Sequence, residues 1–214
     1  MEIDIQELKN KISESQHCQR NWDLTNLIPQ EHIDIFVHAV TQCPSKQNIS
    51  HYSVKFITNR EIIEQIYNNT WVPIASNSTQ RSRGNPQVLA NLLVLFERKS
   101  LDRLDGVAGE RTYDIDDNNE FGFDVNEIHA RDSITSIGIA AGYLNLIAHQ
   151  LGYKTGFCAC FNTEQIEKIL KTDHDPMLFL GIGHSNDNVD WRIDHQTTRK
   201  ILSFSKQTIE CSFI

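Results

Sequence analysis

The chain has 214 residues, the length of one domain or at most two, which argues against repeat arrays and mini-scaffolds. Twenty Lys and Arg against twenty-eight Asp and Glu give a formal charge of -8, a poor balance for a surface that must collect phosphate backbones, so nucleic acid is not the expected partner. Hydrophobic residues at 39% and charged ones at 22% are ordinary for a globular domain and argue against wholesale disorder.

The opening segment, MEIDIQELKNK, has no apolar core of signal-peptide length. The five cysteines, Cys18, Cys43, Cys158, Cys160 and Cys211, are odd in number and scattered, as reduced thiols are. Together these features predict a cytoplasmic protein. In chain order, a first helix is expected around Ile5 to Ser15. A second starts at Pro29 as its first helical residue, carries Ile33, Phe36, Val37 and Val40 at helical spacing, and stops at Cys43-Pro44. Tyr52, Val54 and Phe56 alternate with polar residues as a half-buried strand does, and Asn59 then caps a short helix bearing Ile62, Ile63 and Ile66. The nearly continuous apolar run Val88 to Phe96 reads as a central strand covered on both faces.

Between Leu101 and Asp132 stand ten acidic and three basic residues among glycines and asparagines, which predicts an acidic lid or insertion. Ser133 to Tyr153 carries no formal charge and has apolar residues around most of a helical circumference. Its Ser133, Thr135, Ser136, Asn145, His149 and Gln150 favour a helix buried in protein over a membrane span, and no membrane partner is expected. Gly152 supplies a left-handed stop. A strand at Thr155 to Phe161 follows. Asn162-Thr-Glu-Gln165 then resembles a capping box for a helix to Leu170, Met177 to Gly183 reads as a strand, and Thr208 to Ile214 has a strand-like pattern.

No phosphate-binding glycine loop, zinc-type helix motif or G-x-S-x-G elbow occurs. Gly181-Ile-Gly183 lacks the third glycine of a dinucleotide loop and reads as a strand end. Cys158 and Cys160 fall on one face of the expected strand, as buried core thiols or as a redox or metal pair. His184, Asp187, Asp190 and His195 crowd one polar loop without the regular spacing of a ligand set, and no metal is expected.

A dispersed pattern remains: Gln16-His-Cys-Gln-Arg20-Asn-Trp22, Cys43-Pro-Ser-Lys-Gln-Asn48, the apolar helix ending at Leu151-Gly152, Met177 to Gly183, and Arg199-Lys200. In this order and spacing the chain resembles the nitroreductase family of FMN-dependent flavoproteins over essentially its whole length. The resemblance implies a single α+β domain spanning 1–214. Its expected form is a three-layer α/β/α sandwich with a central mixed, mainly antiparallel sheet and a long buried helix at a dimer interface. It implies FMN as cofactor, NAD(P)H as electron donor, a small electron-poor acceptor of nitroaromatic or quinone type, ping-pong turnover, and a homodimer with FMN at the subunit interface.

By that resemblance Arg20 faces the pyrimidine edge of the flavin, Gln16, His17 and Cys18 lie at ribityl or phosphate positions, and Arg199 with Lys200 lies at the phosphate. Pro44, Ser45, Lys46 and Asn48 reach the FMN of the other subunit, and the main chain at Ala159 and Cys160 lies beside flavin N5. No catalytic side chain is implied, because the cofactor carries the electrons. The chain departs from the family where Gln16 replaces a common arginine, Cys18 a serine, and Ser50-His51-Tyr52 a common Gln-Pro-Trp. These departures place more of the phosphate on Arg199, with Lys200, Thr197 or His17. Two alternatives keep part of this reading: an FMN-dependent oxidase or dehydrogenase, and a non-catalytic dimeric flavin-binding or interaction module.

Overall fold

The computed structural model describes residues 4–73, 81–100, 124–186, 188–203 and 205–213. In chain order these form α1 (Ile5–Glu14), α2 (Gln30–Gln42), β1 (Tyr52–Ile57), α3 (Arg60–Tyr67), β2 (Trp71–Pro73), β3 (Arg81–Arg83), β4 (Leu92–Arg98), α4 (Val125–Gln150), β5 (Lys154–Cys158), α5 (Thr163–Leu170) and β6 (Asp175–Gly183), with 3-10 turns at Lys46–Asn48 and Pro86–Leu89. Short polar side chains start four of the helices, at Asn59 and Asn162 where the sequence puts them. Asp4, Asn59, Asp124 and Asn162 each accept a hydrogen bond from a first-turn amide, satisfying donors that have no partner within the helix. Only half of the expected capping box forms at Asn162. Its side chain takes the Gln165 amide, but its own N–H donates to Asn69 O at 2.9 Å, across to the end of α3. Pro29 caps α2 from outside instead of opening it.

Four strands pair in the order β1-β4-β6-β5, every neighbour antiparallel. Strand β4 lies inside the sheet and is buried from Leu92 to Glu97. Its alternate residues feed two cores. Leu92, Val94 and Phe96 join Phe36 and Val40 of α2 and Ile137, Ala140, Leu144 and Ala148 of α4. Leu93 and Leu95 join Ile63 and Ile66 of α3, Ile166 of α5 and the Val88-Leu89 turn. A one-residue slip of β4 would exchange its two faces, so the register is set by both cores at once. Each fully buried Leu or Phe contributes about 1.5–3 kcal/mol. The result is an α+β fold with helices on both faces of a mainly antiparallel sheet. Among the described residues no helix is long and apolar enough to cross a membrane.

Several sequence boundaries move. Val88 and Leu89 belong to a buried 3-10 turn that Asn85 caps, and the strand starts only at Leu92. A continuous apolar run has no period that separates buried turn from buried strand. Helix α4 starts at Val125, so the last eight residues of the expected acidic lid are helix; residues 101–123 lie outside the described residues. Strand β5 ends at Cys158, so Cys158 and Cys160 do not share a strand face. Residues 208–213 form no strand and are exposed, Ile209 and Phe213 included. Parallel pairing in the described residues is confined to an isolated bridge between Cys18 and Thr155, so the expected mixed sheet is antiparallel throughout its four strands.

Gly181 marks how closely the layers approach: a Cβ there would meet the backbone oxygen of Gln87 and, at 2.9 Å, the Ala90 Cβ. Neither can swing aside. Gly181→Ala is therefore expected to lower the unfolding free energy by about 1–3 kcal/mol, measured by urea denaturation; an unchanged midpoint would contradict this packing.

Candidate functional site

The segment from Ser15 to Arg20 is laid along the outer edge of β5. Gln19 N–H donates to Thr155 O at 2.7 Å, and Asn145 Nδ2 of α4 donates to Ser15 O at 3.0 Å. Behind them runs a buried polar chain. Thr155 Oγ1 donates to Asn145 Oδ1 at 2.5 Å, which leaves its lone pairs for His149 Nε2–H at 3.2 Å. Burial pushes the His149 pKa down to about 4, so the imidazole is neutral at physiological pH. Lys154 Nζ closes the edge on Glu14 Oε2 at 2.9 Å.

The other wall is the loop after β6. Arg20 N–H donates to Trp191 O at 2.9 Å, and His195 Nδ1 lies 3.3 Å from Arg20 O. Buried Asp194 organises the turn that follows, accepting from Gln196 N–H at 2.9 Å and Thr197 Oγ1 at 2.7 Å, while Thr198 takes the left-handed φ of 56°. Between the walls lies a cavity of about 370 Å³ lined by Gln16, His17, Cys18, Arg20, Trp191, Arg192, Ser203, Ser205 and Lys206.

Arg20 dominates this cavity. It is only 8% exposed; Nη1 donates to Cys18 O at 2.7 Å, and Nε has no partner among the described residues. Among the described residues no carboxylate lines the cavity. Burial lowers the Arg20 pKa and the like charge of Arg192 adds to that, against an opposing contribution from Cys18. An arginine does not shed its proton, so the fold holds a nearly buried positive charge with no carboxylate paired to it among the described residues. The Trp191 ring gathers the rest: His17 stacks on it at 4.9 Å and 8°, while the guanidinium carbons of Arg20 and Arg192 lie 5.4 and 5.6 Å from its centroid.

The residues singled out in the sequence are only partly brought together. Gln16, His17, Cys18 and Arg20 share the cavity. Ala159, exposed, and Cys160, half-buried, follow the end of β5, and Cys160 O accepts from Trp71 N–H at 3.0 Å. Burial raises the Cys158 thiol to about 12, an inert core thiol. The turn from Pro44 to Asn48 lies elsewhere. Ser45 and Asn48, the latter at a left-handed φ of 59°, line a separate cavity of about 770 Å³ between α2 and β1. Pro44 is exposed, and Lys46 Nζ is held 2.6 Å from Asp132 Oδ2. Arg199 and Lys200 diverge, as adjacent residues of an extended segment do: Arg199 reaches Ser82 Oγ on β3, and Lys200 reaches Asp190 at 2.9 Å. Neither lines the Arg20 cavity. The further cations that do, Arg192 and Lys206, and the ring that gathers Arg20 and Arg192, Trp191, went unmarked in the sequence. A tryptophan beside an arginine in an otherwise polar loop was the available signal. Among the described residues no group of three His, Cys, Asp or Glu is placed to hold a metal ion.

The model of the nitroreductase family matches residues 14–184 of this chain. The chain belongs to the nitroreductase family. Similar solved structures agree on the fold of this nitroreductase-family chain. A nitroreductase family protein from Clostridium novyi NT is 15% identical, with a TM-score of 0.59 over 86% of this chain and 89% of that one. A Staphylococcus epidermidis protein assigned as an NAD(P)H:FMN oxidoreductase is 15% identical, with a TM-score of 0.64 over 97% and 94%. A protein of Exiguobacterium sibiricum assigned as a nitroreductase and solved in complex with FMN is 17% identical, with a TM-score of 0.60 over 89% and 92%. No curated protein sequence matches the chain.

The neutral His149 has a consequence for stability. Its pKa is about 4 in the fold against an ordinary value of 6.5, so between those values the unfolded chain binds more protons and stability rises with pH. The contribution is complete above about 6.5 and is lost as pH falls toward 4. His149→Gln is expected to flatten the stability profile across that window, whatever its effect on the absolute value. A slope unchanged from wild type would contradict the buried neutral imidazole.

Proposed function

We propose that this chain is an FMN-dependent oxidoreductase, working as a homodimer, that takes electrons from NADH or NADPH and passes them by ping-pong turnover to a small electron-poor acceptor of nitroaromatic or quinone type. The observation that carries the reading is Arg20: a nearly buried guanidinium whose Nε has no partner, in a cavity without a carboxylate, among the described residues. That donor set suits an anionic cofactor bearing a phosphate and an electron-rich ring edge.

Bound FMN would supply the two-electron chemistry that no side chain here provides. The protein's part is binding and electrostatics. Arg20 supplies a fixed positive charge in a site where water does not screen it. Trp191 and His17 give a flat aromatic wall, and Cys18 and Gln16 offer short polar groups beside it. The main chain of Ala159 and Cys160, by the family resemblance, borders the reacting edge. The homodimer draws support from α4, where Gly138, Ile139, Gly142, Tyr143, Leu146 and Ile147 line a wholly apolar groove with open space over both glycines. An exposed apolar patch of this kind marks a protein partner, and a second copy of the chain is the one the family offers.

Anaerobic mixing of the flavin-loaded protein with NADH and with NADPH tests the electron donor. At least one is expected to bleach the flavin absorbance; reduction by dithionite but by neither nicotinamide would replace the reductase with an oxidase or dehydrogenase. Arg20→Met tests the site. It is expected to weaken FMN binding roughly ten- to a hundred-fold and to make the bound flavin harder to reduce, because the negative charge gained on reduction loses its fixed counter-charge. Unchanged affinity and potential together would refute the role.

A further inference from the structure

The family resemblance assigns the phosphate to Arg199 and Lys200, yet neither lines the Arg20 cavity, and Gln16 stands where an arginine is common. Beside Arg20, the positive charge of the cavity comes from residues after β6, Arg192 and Lys206. We propose that Arg192, assisted by Lys206, forms the seat for a phosphate monoester dianion in this cavity, replacing the arginine that Gln16 displaces. The inference rests on the flavin reading above only for the identity of the nucleotide.

Three observations carry it. Arg192 is held in one orientation: its Nε and Nη2 donate to Asp190 at 3.0 and 2.7 Å, which fixes the guanidinium plane and leaves the Nη1 edge without a partner among the described residues. Asp190 does not cancel that charge, because Lys200 Nζ lies 2.9 Å from the same carboxylate, so two cations share one anion. Lys206 reaches the same cavity and takes part in no ion pair among the described residues. Arg192 and Arg20 also repel each other across Trp191. One carboxylate among Arg20, Arg192, Lys200 and Lys206 leaves an excess of positive charge among the described residues, and a dianion placed there lowers that electrostatic penalty.

The test compares FMN with riboflavin, which lacks the phosphate, on flavin-stripped wild type, Arg192→Met, Lys206→Met and Arg199→Met, by quenching of flavin fluorescence. Thermal melting in inorganic phosphate against chloride at equal ionic strength runs in parallel. Wild type is expected to prefer FMN by roughly 100-fold, a preference reduced about ten-fold or more in Arg192→Met while riboflavin affinity is kept. Phosphate is expected to raise the melting temperature of wild type and not of Arg192→Met. Retained riboflavin binding shows that the variant is folded; should Arg192→Met fail to fold, Lys206→Met carries the same comparison with a smaller change. An FMN preference unchanged in both variants, or one lost in Arg199→Met and not in Arg192→Met, overturns the seat. Phosphate stabilisation that needs Arg192, without binding of either flavin, upholds the seat and removes the flavin reading.

Discussion

A positive charge held nearly out of water, with no acid beside it among the described residues, is the constraint on which the site depends. Burying an ion without a partner is among the least favourable things a fold can do, and cores normally avoid it or supply a carboxylate. Here neighbouring elements press Arg20 into place: the β5 edge takes the adjacent amide of Gln19, and the loop after β6 takes that of Arg20 itself. The residual interaction energy is directed outward, into a cavity whose other cations share the deficit.

That arrangement is possible because the sheet leaves β5 at an edge. The strand order β1-β4-β6-β5 gives β5 one free side, and the segment around Cys18 occupies it through a single parallel bridge. Close approach requires Gly156, where any Cβ would stand 2.8 Å from Gln19 O. Helix α4 fixes the same segment from behind through Asn145, Thr155 and the neutral His149. Helix, strand and loop therefore converge on the segment from Ser15 to Arg20, and displacement of any of them would move the guanidinium.

Much of the scaffold was legible in the sequence, because its signals are local. Asn59 and Asn162 cap the helices they precede, and the alternation at Tyr52, Val54 and Phe56 marks β1. Boundaries failed where hydrophobicity loses its period, as at Val88-Leu89, or where charge looks like loop but lies on a helix start, as from Glu127 to Asp132. The site was legible in one half only. Gln16 to Arg20 forms a contiguous motif, and the structure keeps its members together. Arg192 and Lys206 meet Arg20 through a turn set by Asp194 and Thr198, a tertiary arrangement that no spacing encodes. Arg199 and Lys200 looked equally suitable as sequence, and only the direction of each side chain separates the two pairs of cations.

The account stands or falls on whether that unpaired charge belongs to a flavin site. The most direct measurement is the absorbance spectrum of the purified protein, before and after incubation with FMN and removal of the excess. A bound-flavin band near 450 nm, roughly the generic flavin absorbance, with up to one flavin per chain after incubation, is the predicted result. A colourless protein that stays colourless after incubation would contradict it.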